Sequence, residues 1–148
     1  HVHFLPLVSR KEIPAIVSSI DAAVIPLRKM DLFLGAIPSK IFENLALKKP
    51  ILLAVDGEAR ELFIDQGKCG LYIAPENHNC VVYALYKNAP ENHQQLASAA
   101  IQLAENPELC KTLGENGYSY VRSHFMRSAI TQQFIRAYEE TLSSSDNK

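Results

Sequence analysis

Two short apolar runs that stop at turn signals, Asp21-Ala22-Ala23-Val24-Ile25-Pro26 and Ile51-Leu52-Leu53-Ala54-Val55, constrain this chain more than any other feature. Neither alternates polar with apolar residues, so each predicts a strand covered on both faces, as in a parallel sheet flanked by helices. Val2 to Leu5, ahead of Pro6, reads as an earlier strand, and Gly70 to Ile73 as a later one. The gaps between them carry helical signals. Ser9-Arg10-Lys11-Glu12 has capping-box spacing, and Ile13, Ile16, Val17 and Ile20 recur at helical intervals. Pro14 requires either an irregular first turn or a start near Ile13. Leu27 to Ile37 reads as a loop, Ser39 to Leu47 as a helix, and Glu58 to Asp65 as a short helix. Parallel neighbours need crossover connections, so this alternation predicts an α/β fold with a Rossmann-like parallel sheet and flanking helices.

The C-terminal part is helical. Leu96, Ala99, Ala100, Leu103 and Ala104 form one stripe, and Asn106-Pro107-Glu108 then supplies an N-cap with proline at the first helical position. Gly114 and Gly117 are expected to end or loosen that second helix. Ile130, Phe134, Ile135, Tyr138 and Leu142 mark a last amphipathic helix. The expected domain is 1–142, followed by a frayed polar tail, 143–148. Ala74-Pro75-Glu76-Asn77-His78 recurs fifteen residues later as Ala89-Pro90-Glu91-Asn92-His93. This repeat reads as a local duplication ahead of a helix, and the apolar residues between its copies predict one more helix or strand.

Composition narrows the function classes. The 148 residues can bury one sizeable core and are too few for two ordinary domains. Fifteen Lys and Arg against sixteen Asp and Glu, with no basic block, give no electrostatic footprint for nucleic acid. Cys69, Cys80 and Cys110 are odd in number and lack metal-ligand spacing, which argues against a disulfide framework and for a cytoplasmic setting. No apolar stretch approaches the roughly 20 residues of a membrane span, and no signal peptide is visible at the start. The chain opens directly on a strand-like segment without Met, which suggests an excised piece whose first strands are missing.

In an open parallel sheet, ligands bind beyond the carboxyl ends of the strands. The loop after Pro26 leads there and closes on Pro38-Ser39. With Ser39 as N-cap, the N–H groups of Lys40, Ile41 and Phe42 lack intrahelical partners and, with the helix dipole, suit a phosphate. Lys40 adds a cation in the first turn, where the dipole disfavours it unless an anion is near. Glu43, one turn in, is placed to accept two vicinal hydroxyls, as acidic residues do when they hold a ribose. The same residues equally suit a capped, solvated surface helix. Metal chemistry has little support: no Asp-x-Asp occurs, and His1 and His3 have no carboxylate or cysteine nearby in sequence. Gly-x-Gly-x-x-Gly and the phosphate-binding loop ending in Gly-Lys-Ser or Gly-Lys-Thr are also absent.

The run from Ile37-Pro38-Ser39-Lys40-Ile41-Phe42-Glu43 to Lys49-Pro50-Ile51-Leu52 resembles the donor-site segment of group 1 (family 4) retaining glycosyltransferases. Val2-His3-Phe4-Leu5-Pro6, Asp21 to Pro26, Gly57-Glu58-Ala59-Arg60-Glu61-Leu62, Gly70-Leu71-Tyr72-Ile73, Asn106-Pro107-Glu108-Leu109 and Leu113-Gly114-Glu115-Asn116-Gly117 follow in that family's order. The resemblance implies half of a GT-B fold that binds a UDP- or GDP-sugar without any cofactor or metal. It implies that Glu43 holds the ribose, that Pro38, Ser39, Lys40, Ile41 and Phe42 form the diphosphate end, and that Leu7 and Val8 lie near the base. Gly57 and Glu58 would approach the diphosphate or sugar. The family's first glutamate, eight positions before Glu43, is here Gly35, which leaves the sugar open. With Pro38-Ser39-Lys40 before the helix, the chain resembles the subgroup found among transferases that assemble bacterial surface polysaccharides. The basic pair that neutralises the leaving diphosphate and the acceptor domain would both lie upstream, so this piece alone should bind a nucleotide without turnover. A lipid-linked acceptor would bring the enzyme to the inner face of the membrane. The competing readings are a nucleotide-sugar epimerase of the same architecture and a noncatalytic α/β interaction module.

Overall fold

The computed structural model describes residues 3–75 and 91–145. Helix α1 (Ile13–Ser19) leads into β1 (Ala23–Pro26), and α2 (Ser39–Ala46) into β2 (Ile51–Ala54). Helix α3 (Glu58–Arg60), which continues as a π-helical stretch over Glu61–Gln66, precedes β3 (Gly70–Tyr72). Three longer helices follow: α4 (Glu91–Glu105), α5 (Pro107–His124) and α6 (Arg127–Ser145). The strands form one parallel sheet in the order β1-β2-β3, with Ala23 opposite Ile51 and Leu53 opposite Tyr72. This is the α/β architecture that the alternation of runs predicts.

Strand β2 is central and buried throughout, as its unbroken apolar sequence requires. Its side chains divide between two cores. Ile51, Leu53 and Val55 join Ile25 of β1, Ile41 and Leu45 of α2, Ala59, Phe63, Cys69 and Val121 on one face. Leu52 and Ala54 join Ile73, Ala99 and Leu103 of α4, and Leu113 of α5 on the other. Strand β1 departs from the expectation. Its Ile25 is buried, but Val24 is 50% exposed and Pro26 is exposed, so it is covered on one face only. It is the edge of the described sheet, and an edge strand lacks the neighbours that would close over its second face.

Over its described residues, 3–5, the expected first strand is not formed. Residues 3–5 carry no ladder hydrogen bonds, and Phe4, Leu5 and Leu7 are exposed. A short segment laid on the half-exposed edge of β1 would bury too little surface to offset ordering its backbone, about 1–2 kcal/mol per residue. Helix α1 begins at Ile13, which puts Pro14 in the first turn, where its missing N–H costs nothing. The capping box is half realised. The Glu12 carboxylate accepts from the Ser9 hydroxyl at 2.6 Å and from its N–H at 2.8 Å, one turn ahead of the helix. These two bonds, the hydroxyl's first, hold the Glu12 carboxyl below its usual range.

Asn106 caps α5 as expected, its side chain accepting from the Leu109 N–H at 3.0 Å. Gly114 and Gly117, however, neither end nor loosen this helix, which continues to His124. They are buried points of close approach. A Cβ on Gly114 would sit 2.1 Å from the Lys48 carbonyl oxygen, and one on Gly117 would sit 2.5 Å from a Leu45 methyl. Helix α6 extends past Leu142 to Ser145, since 143–145 contain no glycine or proline to stop it. The segment between the repeated Ala-Pro-Glu-Asn-His copies, with part of each copy, lies outside the described residues. Cys69 and Cys110 are free thiols, and burial raises the Cys69 pKa to about 12. Among the described residues, no helix is long and apolar enough to cross a membrane.

The glycine seam is testable in urea denaturation. In an open helix, Gly→Ala would gain about 0.5–1 kcal/mol. Gly114→Ala is expected to lower stability instead, by about 1–3 kcal/mol, because the obstacle is a backbone carbonyl. Gly35→Ala, with nothing within 4 Å of the added methyl, should change stability by less than about 0.5 kcal/mol.

Candidate functional site

The carboxyl ends of the three strands gather the loops between residues 27 and 38 and between 55 and 58. The first loop is held near its start by the Leu27 N–H donating to the Ala54 carbonyl at 3.0 Å. It then folds through a short 3-10 turn at Asp31–Phe33, with further turn bonds from Leu34 to Asp31 and from Ala36 to Phe33. The second loop meets it at one point. Gly57 has φ +75°, and a Cβ there would fall 2.0 Å from the Leu34 carbonyl oxygen. The next N–H, that of Glu58, donates to that same oxygen at 2.8 Å. Gly57 is thus required by its positive φ and by the approach of Leu34.

The first loop ends where Pro38, in extended conformation, precedes the helical residue Ser39. Pro38 is therefore the N-cap, one residue earlier than expected, and no side chain caps the helix. The Ile41 N–H is not free either, since it donates to the Pro38 carbonyl at 3.0 Å. The N–H groups of Ser39 and Lys40 come before the first possible intrahelical bond, and both residues are exposed. Ile41 is fully buried, while Phe42 stacks edge-on against Phe63 and Phe125, with centroids 5.5 and 5.2 Å away. These two residues anchor the helix in the core. Asn44, also buried, donates through its side-chain amide to the Lys40 carbonyl at 2.8 Å, and its Oδ1 has no partner among the described residues.

Glu43 lies on the opposite side of α2 and is exposed. With Leu47 it forms one wall of a groove of about 390 Å3, whose other wall is Arg10, Ile13, Pro14 and Val17 at and before α1. Helix α2 packs on β1 and β2 and, as the crossover between these parallel neighbours, runs back against them, so its N-terminal half stands toward the sheet's carboxyl end. The groove brings Glu43 together with residues for which the sequence offered no binding role. In the sequence, Arg10 and Pro14 belong only to a helix start. Leu7 and Val8 do not line it: Leu7 is fully exposed and Val8 half-buried.

Beside the Gly57 turn stands a polar cluster that sequence reading also passed over. Tyr72 donates to Asp56 Oδ1 at 2.5 Å, and the Arg60 guanidinium carbon lies 4.0 Å from the centre of the Tyr72 ring. Burial, and then the Asp56 carboxylate, raise the Tyr72 pKa to about 12. A small cavity of about 40 Å3 next to Asp56 is lined by Arg28, Lys29, Asp31 and Leu34, among others. No group of three His, Cys, Asp or Glu suited to a metal occurs among the described residues.

The family profile described as glycosyl transferases group 1 matches residues 1–120. The chain belongs to the group 1 glycosyltransferases. No curated protein and no solved structure gives a significant match. The matched span runs from before α1 into α5, so the groove, the α2 start and the Gly57 turn of this transferase all lie inside it.

The Leu34–Gly57 contact should be the latch between the two site loops. Gly57→Ala is expected to cost about 2–3 kcal/mol in stability, from a strained φ together with a backbone clash. Hydrogen exchange checks its location: the Glu58 amide should lose protection more than the amides of β2.

Proposed function

We propose that this domain binds the nucleotide-diphosphate sugar of a retaining, family 4 transferase with the GT-B arrangement. The nucleoside occupies the groove between α1 and α2, and the diphosphate sits at the start of α2. One observation carries the reading. Glu43 stands on the wall of a mostly apolar groove of about 390 Å3, one turn into a helix whose first two residues, Ser39 and Lys40, are exposed. That volume falls in the usual range for small-molecule sites, which pair apolar walls with a few placed polar groups. Ile13, Pro14, Val17 and Leu47 offer apolar contact to a base and a ribose face, and the Glu43 carboxylate accepts the ribose hydroxyls.

Transfer breaks the bond between the anomeric carbon and the diphosphate oxygen, so negative charge builds on the leaving group. The Ser39 and Lys40 N–H groups, the positive end of the α2 dipole and the Lys40 ammonium all favour that charge, and no metal is needed for it. Glu43 contributes by holding the nucleoside, so that the glycosidic bond is presented in one orientation. Uridine and guanosine diphosphate sugars are the donor classes proposed. The acceptor, a sugar or lipid-linked sugar of polysaccharide or glycoconjugate synthesis, is received by a second domain.

Titration of UDP and GDP by calorimetry tests this. Glu43→Ala is expected to weaken the nucleotide that binds by about 10- to 100-fold, the equivalent of one or two hydrogen bonds to a charged group. Glu43→Gln should retain part of the affinity. Equal affinity in wild type and Glu43→Ala would remove Glu43 from the ribose.

A further inference from the structure

The Asp56, Arg60 and Tyr72 cluster is used neither by the core nor by the groove, yet it grips the turn that meets the donor loop. Register explains how it forms. Leu53 of β2 lies opposite Tyr72 of β3, so the tyrosine projects beside the residues that follow β2. Its hydroxyl reaches Asp56 at 2.5 Å, immediately before Gly57. Its ring lies under Arg60, the last residue of α3, and the Arg60 Nε is also 3.8 Å from an Asp65 oxygen. The turn from Asp56 to Arg60 is therefore tied at both ends to one side chain of β3, while its middle is docked on the Leu34 carbonyl.

Asp56 is the hazard in this arrangement. It is a half-buried carboxylate at the carboxyl end of the central strand, where a diphosphate would bring more negative charge. A tyrosine hydroxyl with its pKa raised to about 12 remains a donor at any working pH, so the carboxylate keeps its partner.

We propose that Tyr72 is a positioning residue of the donor site: it holds the Asp56 carboxylate against β3, away from the bound diphosphate, and so fixes the Gly57–Glu58 turn beside it. The inference rests on the donor-site reading given above. Arg60 assists by stacking on the ring, a cation–π contact that survives loss of the hydroxyl.

The experiment compares wild type, Tyr72→Phe, Asp56→Asn and the double variant Tyr72→Phe/Asp56→Asn in the intact protein. UDP and GDP are titrated at low and high salt, and thermal unfolding is followed in parallel. Tyr72→Phe keeps the ring and is expected to weaken the bound nucleotide roughly tenfold at low salt and less at high salt, because the released charge repels and salt screens it. Asp56→Asn alone should bind near wild type. The double variant should recover most of the lost affinity, although its unfolding temperature is no higher than that of Tyr72→Phe. Wild-type affinity in Tyr72→Phe overturns the proposal, and so does a double variant that fails to recover. Loss of affinity in Glu43→Ala beside unchanged affinity in Tyr72→Phe would leave the donor site standing and remove Tyr72 from it. Absence of any nucleotide binding by wild type would remove both.

Discussion

The position of helix α2 depends on how its C-terminal end is pinned. Lys48, just past that end, has φ +58° and turns the chain left-handed, and the Lys48 and Lys49 N–H groups donate back to the carbonyls of Leu45 and Asn44. The turn leaves the Lys48 carbonyl facing Gly114 of α5 at a distance that no side chain on Gly114 would permit. The Lys48 ammonium then crosses to Glu115 at 2.9 Å and lies over the Tyr118 ring. The ion pair is exposed and contributes little by itself. Backbone contact through the glycine does the fixing, and from it follow the burial of Ile41 and Leu45 and the direction in which α2 starts.

From that anchor the rest of the site follows by chain connectivity. The loop from Leu27 to Pro38 has to reach the fixed start of α2, and it is held midway by the Gly57 and Glu58 backbone. The aromatic contacts among Phe42, Phe63, Tyr120 and Phe125 lock the first turn of α2 to the helices behind the sheet. The polar groups of the candidate site are thus mounted on a helix start and on two loops with one shared contact, which holds polar atoms in place without burying them.

The residues of the site were unequally legible. Ile41 and Phe42 appear in the same motif as Ser39, Lys40 and Glu43, but helical geometry sends them to the opposite side of α2, where they serve packing. Gly57 was readable as a turn glycine, while the reason it must be glycine is a carbonyl 23 positions earlier in the chain. Arg10, Pro14 and Val17 become a wall only because α1 lies across from Glu43. Tyr72 and Asp56 are 16 residues apart, and nothing in their spacing announces a hydrogen bond that depends on strand register.

The sequence by itself determined the strands, most of the helices, the α/β alternation and the family, because these rest on local patterns: unbroken apolar runs, helical periodicity, prolines and caps that act within a few residues. It erred where local signals depend on neighbours. The segment Val2 to Leu5 has strand composition, yet its described residues, 3–5, join no strand of the described sheet, and Gly114 and Gly117 resemble helix stops yet serve as contact points within one long helix. Tertiary structure alone decided which face of α2 meets solvent, which residues wall the groove and which side chain restrains Asp56. Those outcomes are set by distances between segments remote in sequence, and no periodicity along the chain encodes such a distance.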